Sequence, residues 1–500
     1  MRLTGGSSYI LDGASITGKS VNGSAVSMTG PFTVNNGTSV TGTATGSGSG
    51  VSATGSMVTA HGDSVQINGT AVSGNGIILV GNTALTGGRL AGNATTGTGL
   101  NVSSNATLTN AALTGSADSG VGVSIAGNLT TNSATQVSGH AASGTGVRLG
   151  AELTGATVKG SSDTGTGLQL ADNAVVTEAV LSGTSASGDG VAFTGKVMLD
   201  DTSAGALNAS STSGTGLKLA DNANVSIQTV TSVTQAKKDA DGNTVLDADG
   251  NAVMETVTTQ APVTTPVTLT GTSAQGTGVA TEGNVSVSGI VLSGITDADT
   301  GTGVSLGGNL TIADDISGVT AGATGNGTAL VVNNASIHSD GYTDRGKDFV
   351  INASVSGNGT AIKTQGSSQL DEVMLNGTAT GGGTAVELGG QVTGANITGT
   401  SDSGTAVQIA DGGVLTNAVV TGNATTGTGV NVSGKLTADD TTQVTGKATQ
   451  DGGTGVTLNG TVTGGKVDGT ATSGDAVQIA DGGVLTNAVV TGNATTGTGL

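Results

Sequence analysis

Aliphatic and polar residues alternate along this chain in short stretches that return at a regular interval. Each stretch opens with the phrase Gly-x-Gly/Ala-apolar, and the apolar residue of that phrase serves here as the anchor of a repeat. The nineteen anchors are Val26, Val51, Ile77, Leu100, Val123, Val147, Leu168, Val191, Leu217, Val279, Val304, Leu330, Ile362, Val386, Val407, Val430, Val456, Val477 and Leu500. Sixteen of their eighteen spacings lie between 21 and 26 residues, which indicates stacked structural repeats.

The residues after each anchor follow the two-residue period of a strand. Leu168-Gln-Leu170 is typical, and in sixteen of eighteen cases the second residue after the anchor is apolar, with Thr281 and Thr364 as the exceptions. Such alternation predicts a strand with one face inward. Further short alternations, separated by Gly, Asn, Asp and Ser, add one or two strands to each repeat. The sequence therefore predicts an all-β parallel β-solenoid of about 19 coils.

Two long spacings predict insertions into the solenoid. The spacing of 62 between Leu217 and Val279 contains two of the three prolines, and we interpret 228–266 as a β-hairpin-like insertion between solenoid segments 1–227 and 267–500. The spacing of 32 predicts a loop insertion at 338–349.

The 338–349 loop collects cationic and aromatic residues in a chain that is poor in both. The loop is either a solvated turn or a ligand-contact loop. Under the second interpretation the candidate ligand-contact residues are His338, Tyr342, Arg345, Lys347 and Phe349.

The composition indicates which side chains fill the core. The chain has 91 Gly, no Trp and 1% aromatic residues, so a thin core of small aliphatic side chains repeated along an axis is expected. Only 10% of residues are charged, which argues against intrinsic disorder. The absence of Cys excludes disulfides and thiolate metal sites.

Charge and hydropathy restrict the partners. The net charge of −20 is spread thinly, so we expect repulsion of nucleic acid and of anionic lipid. No run of 18 apolar residues exists that could form a membrane-spanning helix. The first residues have neither a basic nor an apolar segment of a secretion signal, so such a signal is expected outside this chain.

Two acidic patterns could indicate metal binding or catalysis, or they could simply form turns. The DADGN copies at Asp239–Asn243 and Asp247–Asn251 resemble the start of a calcium loop, but the twelfth positions hold Gly250 and Thr258 instead of a bidentate Glu. Turn chemistry is therefore the better interpretation.

Adjacent aspartates also suggest turns. Pairs occur at Asp200-Asp201, Asp314-Asp315 and Asp439-Asp440. Neighbouring side chains of an extended chain point to opposite sides, so such a pair cannot flank one bond for acid–base catalysis. The three histidines belong to distant coils. No catalytic, cofactor-binding or metal-binding residue is predicted, and no cofactor.

The chain resembles the passengers of large Gram-negative surface adhesins. The resemblance rests on Gly-Thr-Gly-apolar phrases, on the return of 403–430 at 473–500 with two substitutions, on absent Cys and on scarce aromatics. The families are the autotransporters and the two-partner-secreted, filamentous-haemagglutinin-like proteins. The resemblance implies a right-handed parallel β-helix at the bacterial cell surface, attached to the outer membrane or secreted.

What that resemblance implies about function is adhesion, aggregation or biofilm formation. Its implied partners are a host-cell or bacterial surface glycan or protein and further copies of itself, with an outer-membrane translocator outside this chain.

Two other functions compete with an adhesin stalk. A carbohydrate-active β-helix enzyme, such as a polysaccharide lyase or a tailspike-like protein, needs an aromatic-lined groove with convergent carboxylates, and two Tyr, three Phe and no Trp argue against it. An ice-binding solenoid needs strict threonine rows on coils of one length, and the coil lengths vary. The sequence thus favours a surface adhesin stalk that is not an enzyme.

Overall fold

The alternation after each anchor folds into strands that stack coil upon coil. The chain forms a parallel β-solenoid of about 19 turns, with 64% of residues in strands and 1% in helix, in a computed structural model. The prediction of an all-β solenoid is therefore confirmed. The structure describes residues 1–4, 9–54, 57–59, 64–238, 244–245, 252–297, 299–339 and 349–500.

Each coil contributes a strand to each of three parallel walls, named A, B and C in chain order. Wall A carries the anchors. Its strands are Arg2–Thr4, Val26–Thr29, Val51–Thr54, Asn75–Val80, Thr98–Val102, Val121–Ile125, Thr145–Leu149, Thr166–Leu170, Val191–Phe193, Thr215–Leu219, Thr277–Thr281, Thr302–Ile312, Thr328–Ser339, Thr360–Gln365, Thr384–Leu388, Thr405–Ile409, Thr428–Val432, Thr454–Leu458 and Val477–Ile479. Two of these, Thr302–Ile312 and Thr328–Ser339, continue into wall B.

Wall B carries the short strands that follow the first turn of each coil. Besides the two continuations, its strands are Tyr9–Leu11, Phe32–Val34, Met57–Thr59, Thr83–Thr86, Ala106–Thr109, Leu129–Thr131, Glu152–Thr154, Ala174–Thr177, Lys196–Asp200, Asn224–Ala236, Asn284–Ser288, Ser367–Ala379, Gln391–Ser401, Gly413–Thr416, Leu436–Ala438, Thr461–Thr463 and Val484–Thr486. Ser367–Ala379 and Gln391–Ser401 continue into wall C.

Wall C closes each coil before the next anchor. Besides those two continuations, its strands are Ser15–Ser20, Ser39–Ala44, Gln66–Ala71, Arg89–Ala94, Ala112–Ala117, Gln136–Ala141, Thr157–Ser162, Val180–Ser185, Asn208–Ser211, Val267–Ser273, Ile290–Thr296, Gly318–Ala323, Phe349–Val355, Val419–Ala424, Gln443–Ala448, Lys466–Ala471 and Val489–Ala494.

The anchors form one continuous ladder along the inside of wall A. The eighteen anchors from Val26 to Val477 are linked by consecutive pairings in parallel register, across the spacing of 62 as well as the regular ones. None of these anchors is more than 2% exposed. Leu500, the last anchor, lies outside the strands. The inward assignment made from the sequence is thus confirmed for the paired anchors.

Glycine recurs on wall C because two walls of the same coil approach too closely for a side chain. A Cβ built on Gly42 would lie 2.0 Å from the carbonyl oxygen of Gly50, and one built on Gly92 would lie 2.0 Å from that of Gly99. Carbon and oxygen cannot approach to that distance. The glycine-anchor phrase therefore marks the narrow corner where wall C meets wall A.

The two threonines that break the apolar alternation also point inward. Thr281 and Thr364 are 3% and 1% exposed. The Thr281 hydroxyl donates to the carbonyl of Gly307 at 3.4 Å, and the Thr364 hydroxyl donates to that of Gly389 at 3.1 Å. Each buried hydroxyl is satisfied by the backbone of the next coil, so it causes no unpaired polar group in the core.

One antiparallel ribbon departs from the parallel walls. The strand Asn224–Ala236 runs beyond wall B and pairs with Met254–Pro262, from Gln228 opposite Pro262 to Ala236 opposite Met254. The helix Asp201–Gly205 makes a single turn. No helix of the described residues is long and apolar enough to cross a membrane.

The anchor ladder gives a stability test. Val456→Asp places a carboxylate among apolar side chains, and we expect a loss of about 3–5 kcal/mol of unfolding free energy, seen as a lower denaturant midpoint. Thr457→Asp is the matched control, because Thr457 is half-exposed on the outside of the same strand. Equal shifts in the two midpoints would contradict the inward position of the anchors.

Candidate functional site

The ribbon and the loop leave the solenoid at the same corner. The corner between walls B and C is where the ribbon begins after Gln228 and where residues 340–348 separate Ser339 from Phe349. Three coil steps lie between the two points, from the Leu217 coil to the Leu330 coil. With strands about 4.8 Å apart, the start of the ribbon and the end of the strand at Ser339 lie roughly 14 Å from each other along the axis.

The candidate ligand-contact residues separate into three groups. His338 lies near the end of Thr328–Ser339 and is half-exposed, with its Nε2 2.7 Å from the Ser336 hydroxyl. Phe349 is 1% exposed and pairs with Val373, so its assignment as a ligand contact is corrected: the ring fills the core. Tyr342, Arg345 and Lys347 lie outside the described residues.

Other sequence candidates also fall partly outside the described residues. Both DADGN copies, Asp239–Asn243 and Asp247–Asn251, lie there, as does His61. His140 is described, and its Nδ1 lies 3.0 Å from the Ser161 hydroxyl on wall C. Within the described ranges, no group of three or more His, Asp or Glu side chains is arranged to hold a metal ion.

A polar recess lies on the outside of wall B beside the two insertions. Its lower half, with a cavity volume of about 360 Å³, is lined by Asn222, Asn224, Asn284, Ser286, Asn309, Thr311 and His338, together with the buried Ala223 and Val285. Its upper half, of about 370 Å³, is lined by Asn309, Asn334, Ala335, Ser336, Ser367, Ser368, Gln369 and Thr393. Asn309 belongs to both halves. We call this surface the amide recess.

Strand register arranges the lining of the amide recess in two rows parallel to the axis. One row runs through Asn224, Ser286, Thr311 and His338. The second row runs through Asn284, Asn309, Ser336, Gln369 and Thr393. Because the rows follow the outward positions of successive strands, their side chains repeat at the strand spacing of about 4.8 Å.

Asp221 orients the amides of the second row. Its Oδ1 accepts from the backbone N–H of Asn284 at 2.7 Å and from the Asn284 Nδ2 at 3.4 Å. With its NH₂ group directed at Asp221, Asn284 presents Oδ1 to the Nδ2 of Asn309, 2.8 Å away. With its Nδ2 engaged in this bond, Asn309 has its Oδ1 as the acceptor end of the amide.

A bulge at Asn334 shapes the upper half of the recess. Gly307 pairs with Asn333 and Gly308 pairs with Ala335, so Asn334 is an extra residue with a positive φ of 49°. Its Oδ1 accepts from the backbone N–H of Ser367 at 3.0 Å in the next coil. Bulges redirect side chains locally, and this one turns an additional amide toward the recess.

The aspartate pairs are turn residues at the corner between walls B and C. Asp200 accepts from the backbone N–H of Ser203 at 2.8 Å and from that of Glu178, in the preceding coil, at 3.0 Å. Asp314 accepts from Ser317 and Gly289 in the same way, and Asp439 accepts from the Asn417 N–H. The second member of each pair is exposed. The two carboxylates of a pair therefore point apart.

Hydrogen bonds lower the pKa of two of these aspartates. Burial alone would raise the pKa of Asp314, but bonds from the Ser317 and Ser288 hydroxyls and from the Gly289 and Ser317 amides outweigh it. The pKa of Asp439 is lowered mainly by the Thr442 hydroxyl. Both carboxyls are held ionised by structural contacts, which is the opposite of what a general acid needs.

The pKa of one described carboxyl, in the turn that leads into the wall A strand Val191–Phe193, is shifted in the opposite direction. Burial raises the pKa of Asp189, while the nearby charge of Lys218 and a hydrogen bond from Thr215 lower it in part and Glu282 adds to the rise. Lys218 and Glu282 form an ion pair at 3.1 Å. This group lies on a different wall from the amide recess.

Sequence reasoning found one residue of the amide recess, His338, and missed the amides. A signal for them exists: Asn222, Asn284 and Asn309 each stand five residues after an anchor. Asn334 stands four residues after its anchor, and only the register with the bulge places it beside the others. The amides become a site through the register of strands that lie up to 62 residues apart.

The corner aspartates predict that part of the stability of the folded chain is lost in acid. Because the pKa of folded Asp314 is below the usual 3.8, the carboxylate stabilises the folded chain above that pH, and the stabilisation is lost as pH falls through the lower folded value. Asp314→Asn should therefore lower the denaturant midpoint at pH 7, and this effect should be smaller at pH 2.

Asp315→Asn is the control for this pH dependence, because the neighbouring Asp315 is exposed. It should leave the midpoint nearly unchanged at both pH values. A deficit of Asp314→Asn that stays constant from pH 7 to pH 2 would contradict the role given to the carboxylate.

Comparison with known proteins does not assign this chain to a family. No protein-family model matches this chain, and no curated protein sequence matches it. The fold therefore stands on the strand register, and solenoids of this kind carry unrelated functions. The function has to be argued from the amide recess and the two insertions beside it.

Proposed function

We propose that this chain is the stalk or passenger of a secreted bacterial surface adhesin, acting in cell adhesion, aggregation or biofilm formation. The proposal places it at the cell surface, with a surface glycan or protein as partner and an outer-membrane translocator outside this chain. Membership of the autotransporter or two-partner-secreted families is part of the same proposal. Its support is the long, regular solenoid and the sequence texture that it shares with such passengers.

The observation that carries the proposal is the grouping of the irregular features. The start of the ribbon, the end of the described strand at Ser339 and the amide recess lie on adjoining coils, at one corner and on the wall beside it. A purely mechanical spacer has no use for such a group. A stalk that presents a binding surface partway along its length does, because unique features give discrimination that repeated walls cannot.

A carbohydrate-active enzyme has less support. Bond cleavage in such an enzyme needs two carboxyls facing one another across the scissile bond. The corner aspartates are bonded to backbone amides, and the described lining of the amide recess consists of amides, hydroxyls and one imidazole. We therefore propose a binding protein without a catalytic step.

A bead-adhesion assay tests the proposal. Beads that carry the full chain should adhere to bacterial or epithelial cells more than beads carrying an unrelated protein of similar net charge. Deleting 340–348 joins Ser339 to Phe349, as Glu372 joins Val373 in the next coil, so a regular coil should remain. We expect adhesion to fall several-fold with β-sheet circular dichroism and melting temperature unchanged.

A second deletion separates the ribbon from the loop. Removing 229–261 joins Gln228 to its cross-strand partner Pro262 and leaves the paired residues before it in wall B. Adhesion should fall again in the double deletion. Full adhesion by the double deletion would place the activity on the walls themselves, the amide recess included, and no adhesion by the intact chain would refute the proposed function.

A further inference from the structure

We propose that the amide recess binds a neutral linear oligosaccharide. The inference rests on the proposed function, because it names the ligand class of the same surface. It goes further in placing the ligand contact on wall B itself, whereas the sequence indicates the 338–349 loop as the candidate contact.

The lining is uncharged and rich in hydrogen-bonding groups. Around Asn309 the recess presents side-chain amides, hydroxyls and the imidazole of His338, with no carboxylate, ammonium or guanidinium among its described lining. An amide both donates and accepts, as does a sugar hydroxyl, so the two surfaces are complementary. The net charge of −20 works against acidic glycans.

The spacing of the groups suits a polymer. The second row places Asn284, Asn309 and Ser336 in register on three successive strands, and Gln369 and Thr393 continue it. These five positions cover about 19 Å along the axis at about 4.8 Å per step. A linear chain of similar sugar units lying along the axis would meet similar hydrogen-bonding groups at each step.

The amides are held in place before a ligand arrives. Asp221 fixes Asn284, and Asn284 fixes Asn309, through the bonds of 3.4 Å and 2.8 Å. Groups that are already ordered lose less conformational entropy on binding. The recess is thus preorganised to form several weak hydrogen bonds to one ligand.

A peptide is a poorer occupant of this surface. Peptides that bind sheets add a strand at a free edge, and Asn284–Ser288 is paired on both sides, with Asn224–Ser226 and with Asn309–Ile312.

The test uses the full chain on an array of neutral linear oligosaccharides of about four to six sugars, with sialylated and sulfated glycans beside them. Calorimetry then measures the affinity for the best neutral glycan. Asn284→Ala with Asn309→Ala should weaken binding about ten-fold or more, because two oriented amides are lost. Both side chains are exposed, so the β-sheet circular dichroism should be kept.

Asn105→Ala with Asn128→Ala is the matched control. These asparagines take the same position on wall B of two successive coils, each just before an inward residue, and lie far from the recess. The control should bind as the unchanged chain does. Thr311→Leu, which narrows the recess and keeps both amides, should weaken binding too.

Three results would overturn the inference: no neutral glycan bound, binding of acidic glycans alone, or equal losses in the recess pair and the control pair. Cell adhesion of beads that depends on 340–348, without binding of any neutral glycan, would refute the ligand class and leave the adhesin proposal standing. Binding of a neutral glycan without any cell adhesion would support the recess and refute the adhesin proposal.

Discussion

Every feature of this solenoid depends on the backbone hydrogen bonds between successive coils. Along the three walls, amides and carbonyls of one coil pair with those of the next, so each coil must repeat the path of its neighbour. The pairing of Leu217 with Val279 across 62 residues shows how strong this constraint is. The chain leaves the stack and returns to the same register.

The same constraint decides where variation is allowed. An extra residue within a wall would break the ladder, so additional residues collect at corners, where fewer backbone groups pair. The corner between walls B and C holds the start of the ribbon and the aspartate turns, and the additional residues between Ser339 and Phe349 fall in the chain between the same two walls. Asn334 follows the same rule at another corner, because it is an extra residue at the point where the strand passes from wall A to wall B, and it lies at the amide recess.

Physical reasoning from the sequence reached the repeat but not the recess. The anchor ladder could be predicted because each anchor has a local signal in the sequence. The narrow corner requires a glycine, and the core requires an apolar residue. Phe349 was misassigned for a related reason: an aromatic residue beside a long spacing gives no local sign that it begins an inward strand. The sequence shows Asn284 and Asn309 at equal distances after their anchors, but it does not show that Asn309 and Ser336 are neighbours, because these two residues meet only through strand register.

A solenoid of this kind separates folding from binding more cleanly than a globular domain does. Inward positions repeat with nearly the same residues, as the buried anchors do, so stability is spread over many equivalent coils. Outward positions are free to differ from coil to coil, because the backbone ladder and the inward side chains already hold the wall. Outward residues such as Asn284 and Asn309 therefore have little effect on the stability of the fold. The alignment of several of them beside the point where the ribbon leaves wall B is not required for stability, and it is the feature that supports the proposed binding role.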